Sequence, residues 1–135
     1  MRVLIVEDEL VLALGLEDLV AEIGHETAGH AGYASEALRL AIETRPDIAL
    51  VDLNLFDGFT GVEVARSIAP YCRAVVFMTA TPGRVPDDHA GAWGIIAKPV
   101  SEEGMVEVLH WLAARIDGDV TSAPPPPGAL RLRVH

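Results

Sequence analysis

The sequence predicts an α/β domain built on a parallel sheet, and three observations carry that prediction. Short apolar runs alternate with amphipathic stretches of helical period. The runs are Val3–Val6, Ile48–Val51, Ala74–Met78 and Ile95–Ala97, and each stops at a polar residue: Glu7-Asp8, Asp52, Thr79 and Lys98-Pro99. The helical stretches open and close on capping, glycine and proline signals.

Taken in order, Val3–Val6 is the first strand. After Asp8, the residues Leu12, Leu16, Leu19 and Ile23 share one helical face, and Gly24 supplies the stop. His25–Gly32 is a weaker strand, because Thr27 is its only β-branched residue. Ala34, Ala37, Leu38 and Ala41 mark a second helix that ends before Pro46, and its small face suits close packing on the sheet. Ile48–Val51 is an all-apolar strand, as expected when both faces are covered.

Val62–Ile68 reads as a third helix closed by Pro70, followed by the Ala74–Met78 strand. Between Thr79 and Trp93 the prolines and glycine at Pro82, Gly83 and Pro86 predict a fourth helix that starts late and is short. Ile95–Ala97 is the fifth strand. Met105, Leu109, Leu112 and Ile116 then form the face of a final helix, with Ser101 as N-cap and Glu102 and Glu103 in its first turn. Trp93 and Trp111 read as packing groups, Trp111 off the apolar stripe and partly exposed.

This count gives five strands, five helices and one domain over residues 1–117. Residues 118–135 read as a Pro-rich flexible tail: Pro124–Pro127 favour extended polyproline II, and Leu130–Val134 read as a frayed end rather than an edge strand.

Half of the residues are apolar, which excludes a disordered chain. The formal net charge of −10 repels nucleic-acid phosphates and anionic lipid, so no direct nucleic-acid binding is expected. No membrane insertion is expected either, since the Val3–Val6 run meets acids at once, too early for a span or a signal peptide. The single cysteine, Cys72, excludes an internal disulfide and suits a reducing compartment. It reads as a structural thiol with only Arg73 as a cationic neighbour. The expected location is cytoplasmic. The histidines at positions 25, 30, 89, 110 and 135 show no metal-ligand spacing.

Parallel strands deliver their C-terminal ends to one sheet edge, where open α/β sheets hold ligands. Glu7, Asp8, Asp52, Thr79 and Lys98 should therefore converge. Adjacent acids repel by about 4 kcal/mol at ~4 Å in an effective dielectric near 20. A hard divalent cation such as Mg²⁺ relieves that conflict. Glu7 and Asp8 could instead serve the positive end of the first helix, and Asp52 could cap a turn. The three acids together favour the metal site. Beside a metal, the Asp52 carboxylate is a nucleophile toward phosphorus. Thr79 offers a hydroxyl donor and Lys98 a point charge to phosphoryl oxygens. An ordinary strand threonine and an ion-paired lysine are the structural alternatives. Asp57-Gly58 reads as a structural turn. The Lys98-Pro99 bond is a candidate for the cis form.

These residues resemble the receiver domain of bacterial two-component response regulators. The likeness covers Arg2 to Ile116 and rests on Val3–Glu9, Val51–Leu55, Met78-Thr79-Ala80 and Lys98-Pro99, four motifs in order. It implies a (βα)5 fold with flavodoxin-like strand order 2-1-3-4-5. It makes Asp52 the phosphoacceptor, supplied by a sensor histidine kinase or a histidine phosphotransfer protein. It assigns Mg²⁺ to Asp8, Asp52 and the backbone carbonyl of Asn54, with Glu7 acting directly or through water. Thr79 becomes the switch hydroxyl and Lys98 the phosphoryl-binding cation. Autophosphorylation from small donors and autodephosphorylation are implied, with the latter rate influenced by Asn54 and Thr81; the protein is otherwise a signalling acceptor and not an enzyme.

Three positions depart from the family pattern. Ile95 stands where an aromatic switch residue is usual, the segment after Thr79 is Pro-rich, and Phe56 replaces a frequent proline. The leading expectation is a stand-alone receiver that signals to a downstream protein. A phosphate sink or phosphorylation-independent adaptor shares the same residues. A flavodoxin-like cofactor binder is disfavoured, because Glu7-Asp8-Glu9 occupies the loop that would have to cradle phosphate.

Overall fold

The computed structural model describes residues 1–118 and 127–132. The strands are β1 (Arg2–Val6), β2 (Glu26–Ala31), β3 (Ile48–Val51), β4 (Ala74–Thr79), β5 (Gly94–Ala97) and β6 (Leu130–Leu132). They form one sheet in the order β2-β1-β3-β4-β5-β6. The first five pair in parallel, and β6 adds antiparallel to β5. The predicted order 2-1-3-4-5 is therefore present, with one strand beyond it.

Four α-helices cross over the sheet: α1 (Leu10–Glu22), α2 (Ala34–Thr44), α3 (Gly61–Ile68) and α4 (Glu102–Ile116). Strand side chains alternate between two cores. Val3, Ile5, Leu50, Val76 and Ile96 meet Leu16, Leu19 and Val20 of α1 and Val108, Leu109 and Leu112 of α4. Leu4, Val6, Val51, Val75 and Phe77 meet Ala37 and Ala41 of α2 and Val64, Ala65 and Ile68 of α3. Both faces of β3 and β4 are covered, which explains their unbroken apolar sequences.

Local signals act as predicted at most ends. The Ser101 hydroxyl accepts from the Gly104 N–H at 2.9 Å and caps α4. Gly24 adopts φ +87° just past α1, and α2 stops one residue short of the left-handed Arg45. β2 carries a register shift opposite Val3 and Leu4, at Gly29 with φ +139°, so its weak strand character has a backbone origin.

Three expectations are corrected. No α-helix forms between β4 and β5. Two single 3-10 turns, Pro82–Arg84 and His89–Gly91, take its place, because prolines remove the N–H groups a helix would need. Leu130–Leu132 do not fray: Leu130 is buried in the α1/α4 core, and its strand covers the β5 edge. The polyproline run, apart from Pro127, and residues 133–135 lie outside the described residues. Trp111 is buried at 5 % exposure, because the α1/α4 core takes in a wider face of α4 than the apolar stripe alone.

Phe77 is wholly buried at the centre of the sheet. Phe77→Ala should lower unfolding free energy by about 3–5 kcal/mol in urea titration; a loss under about 1 kcal/mol would contradict this packing.

Candidate functional site

The sheet register builds the site. Val6, Val51, Phe77 and Ile95 form one row across β1, β3, β4 and β5. The parallel ladder runs one residue past the strands: the Asp52 N–H donates to the Val6 carbonyl at 2.9 Å, and the Lys98 N–H to the Thr79 carbonyl at 2.8 Å. Glu7 and Asp52 therefore leave adjacent strands at the same level. Among the described residues the buried polar or charged side chains are Glu7, Asp52 and Thr79, all at this edge. Burial of polar groups is costly unless they are paired, so such a concentration marks a built site.

Carboxylate oxygens of Glu7, Asp8 and Asp52 all lie within 4.8 Å of one another. Lys98 Nζ donates to Glu7 Oε1 at 2.6 Å and to Asp52 Oδ2 at 3.0 Å. One ammonium thus bridges the two buried acids. Burial pushes the Glu7 carboxyl up to about 7, against the lowering effect of its Lys98 hydrogen bond. Burial alone would lower the Lys98 ammonium, but its bonds to Glu7 and Asp52 win and hold it above the ordinary lysine range. The arrangement presents hard oxygen donors around a small space, which fits Mg²⁺.

Thr79 ends β4 at the same edge, but its hydroxyl is engaged elsewhere. It accepts from the Thr81 N–H at 3.0 Å and lies 3.2 Å from the Thr81 hydroxyl. The structure thus brings Glu7, Asp8, Asp52 and Lys98 together and sets Thr79 beside them, turned toward its own loop. Asn54 is exposed in the loop after β3. The Lys98-Pro99 bond is cis.

The loop after Asp52 is held by groups that carry no chemistry. Asp57 accepts from the Ala34 N–H at 3.1 Å and from the Thr60 hydroxyl at 2.8 Å, and the Thr60 bond keeps its carboxyl below the usual range. The predicted Asp57-Gly58 turn is accordingly structural. Gly61 was not singled out in the sequence. A Cβ there would come within 2.1 Å of the Asp52 carbonyl oxygen, so the start of α3 presses directly on the Asp52 backbone. A glycine opening a short helix is the signal that could have flagged it. Sequence reasoning also missed the Arg84 guanidinium, which sits 3.9 Å above the Phe59 ring and ties the β4 loop to the β3 loop. Cys72 is pushed up to about 11 by burial, consistent with an unreactive thiol. No helix among the described residues is long and apolar enough to cross a membrane.

The profile of the response regulator receiver domain matches residues 3–110. The chain is 34% identical to the phyllosphere-induced regulator PhyR of Methylorubrum extorquens over 80% of this chain and 42% of PhyR. It is 30% identical to the chemotaxis protein CheY of Thermotoga maritima, over 81% of this chain and 94% of CheY. The solved PhyR receiver domain of Erythrobacter litoralis superposes with TM-score 0.70 at 28% identity, covering 92% of this chain and 94% of that one. The chain thus spans under half of one curated relative and nearly all of another.

The raised Glu7 carboxyl has a testable consequence. A group bound to a proton more tightly in the folded than in the unfolded state loses stability as pH rises from about 4.5 to about 7. In metal-free buffer, the urea midpoint of the wild type should therefore fall through that window relative to Glu7→Gln, and run parallel to it above. Parallel curves throughout would remove the buried, proton-binding Glu7.

Proposed function

The chain belongs to the response regulator receiver domain family, and on that premise we propose that Asp52 is a phosphoacceptor whose modification switches protein contacts. The observation that supports this most is the bridge from Lys98 to both Glu7 and Asp52 at a sheet edge otherwise rich in acids. A lysine so placed orients the Asp52 carboxylate and offers a positive charge to an incoming phosphoryl group.

The donor is a phosphohistidine on a sensor histidine kinase or phosphotransfer protein. An Asp52 oxygen forms the new bond to phosphorus as the P–N bond breaks, and the departing imidazole nitrogen keeps that electron pair. Glu7, Asp8, Asp52 and the Asn54 carbonyl would hold Mg²⁺, which when bound neutralises charge on nucleophile and donor during transfer. Lys98 exchanges its carboxylate partners for a phosphoryl oxygen. The acyl phosphate carries about −1.5 to −2 where the carboxylate carried about −1, and this more negative group draws the Thr79 hydroxyl away from Thr81. Because the Thr81 N–H bonds to that hydroxyl and the following turn carries Arg84, the movement reaches the surface through the β4 loop. Hydrolysis of the acyl phosphate, paced by Asn54 and Thr81, resets the site. The setting is the cytoplasm, and the output is a downstream protein.

One observation favours a second reading, a phosphate sink or phosphorylation-independent adaptor. Ile95 is buried and aliphatic where the family usually has its aromatic relay, so the acceptor lacks that route to the surface. Partner affinity that is unchanged by beryllofluoride would favour this reading.

Incubation with acetyl phosphate and Mg²⁺ should add one phosphoryl group to the wild type, seen by intact mass, and none to Asp52→Ala. Equal modification of both proteins would refute acceptance at Asp52.

A further inference from the structure

Gly94 is the one β5 position whose lack of a side chain needs explaining. It is buried in a strand, where glycine is disfavoured, and a strand glycine often marks close approach of another backbone. Here that backbone is β6. A Cβ on Gly94 would lie 2.5 Å from the Arg131 carbonyl oxygen and 3.1 Å from Leu130 Cδ1. Leu130 itself fills the α1/α4 core, at 5 % exposure. The edge is thus shaped for one extended segment with a leucine at a defined position.

The fit is specific but short. Among the described residues, Leu130, Arg131 and Leu132 pair, opposite Ile96, Ile95 and Gly94, and so few ladder positions hold a strand weakly. Thirteen residues separate α4 from β6. Fully extended, such a connection reaches at most ~45 Å, enough to deliver the strand to another molecule. The segment that pairs with this edge is this chain's own, so its most complementary trans occupant is the same segment of a second copy.

We propose that the β5 edge is a strand-binding site that takes Leu130–Leu132 of a second copy, so that two chains exchange C-terminal strands in a two-fold dimer. The site is independent of phosphoryl chemistry. In the monomer the chain's own strand occupies the edge and competes with the incoming one, and a released edge is a template for pairing.

The test uses the full chain. Sedimentation from micromolar to millimolar concentration should show a dimer growing with concentration in the wild type. Leu130→Asp and Gly94→Ala should both stay monomeric. A fluorescein-labelled peptide of residues 127–135 should bind Leu130→Asp at least tenfold tighter than wild type, because the internal competitor is disabled. It should not bind the Leu130→Asp/Gly94→Ala double variant. Circular dichroism checks that the variants are folded; if Leu130→Asp is not, Arg131→Pro disables the strand through its backbone at an exposed position. A wild type that is monomeric to millimolar concentration, or a peptide that binds equally well with alanine at position 94, overturns the proposal.

Discussion

Everything at the working edge depends on one ammonium set between two buried carboxylates. Glu7 and Asp52 leave neighbouring strands at the same level, where buried carboxylates need a hydrogen-bonding partner. Lys98, arriving from β5, two strands from β3 and three from β1, supplies it. The contact joins residues 91 and 46 positions apart in sequence, so it exists only when the whole parallel sheet has formed in register. Under the proposed phosphoryl transfer, the cation that pairs with the resting acids would also serve the incoming phosphoryl group.

That dependence explains how much the sequence disclosed. The four apolar runs with polar ends were readable because a strand buried on both faces has no other composition, and topology then forces Glu7, Asp52, Thr79 and Lys98 to one edge. Ser101 was readable because an N-cap is a local device. What stayed hidden was non-local backbone packing. Gly61 looks like a poor helix start until the Asp52 carbonyl is seen against it. Gly94 looks like a strand defect until β6 is seen beside it. The lysine's simultaneous grip on two acids also escaped, because spacing shows which residues converge and not which of them pair.

The segment between β4 and β5 was half legible. Its prolines pointed to a late, short helix, but none forms, and no pattern foretold that two 3-10 turns would bring Arg84 over Phe59. This stack joins the loops that follow Thr79 and Asp52. Ile95 is buried and aliphatic, and hydrogen bonds between Thr79 and Thr81 tie the β4 loop to the site edge.

Calorimetric titration of the metal-free protein with Mg²⁺ tests the central claim most directly. Saturable one-to-one binding that is lost in both Asp8→Asn and Asp52→Asn is the result expected from a pocket formed jointly by acids of β3 and the loop after β1. Weak binding that is the same in the wild type and both variants would mean that these carboxylates do not form a common ion site.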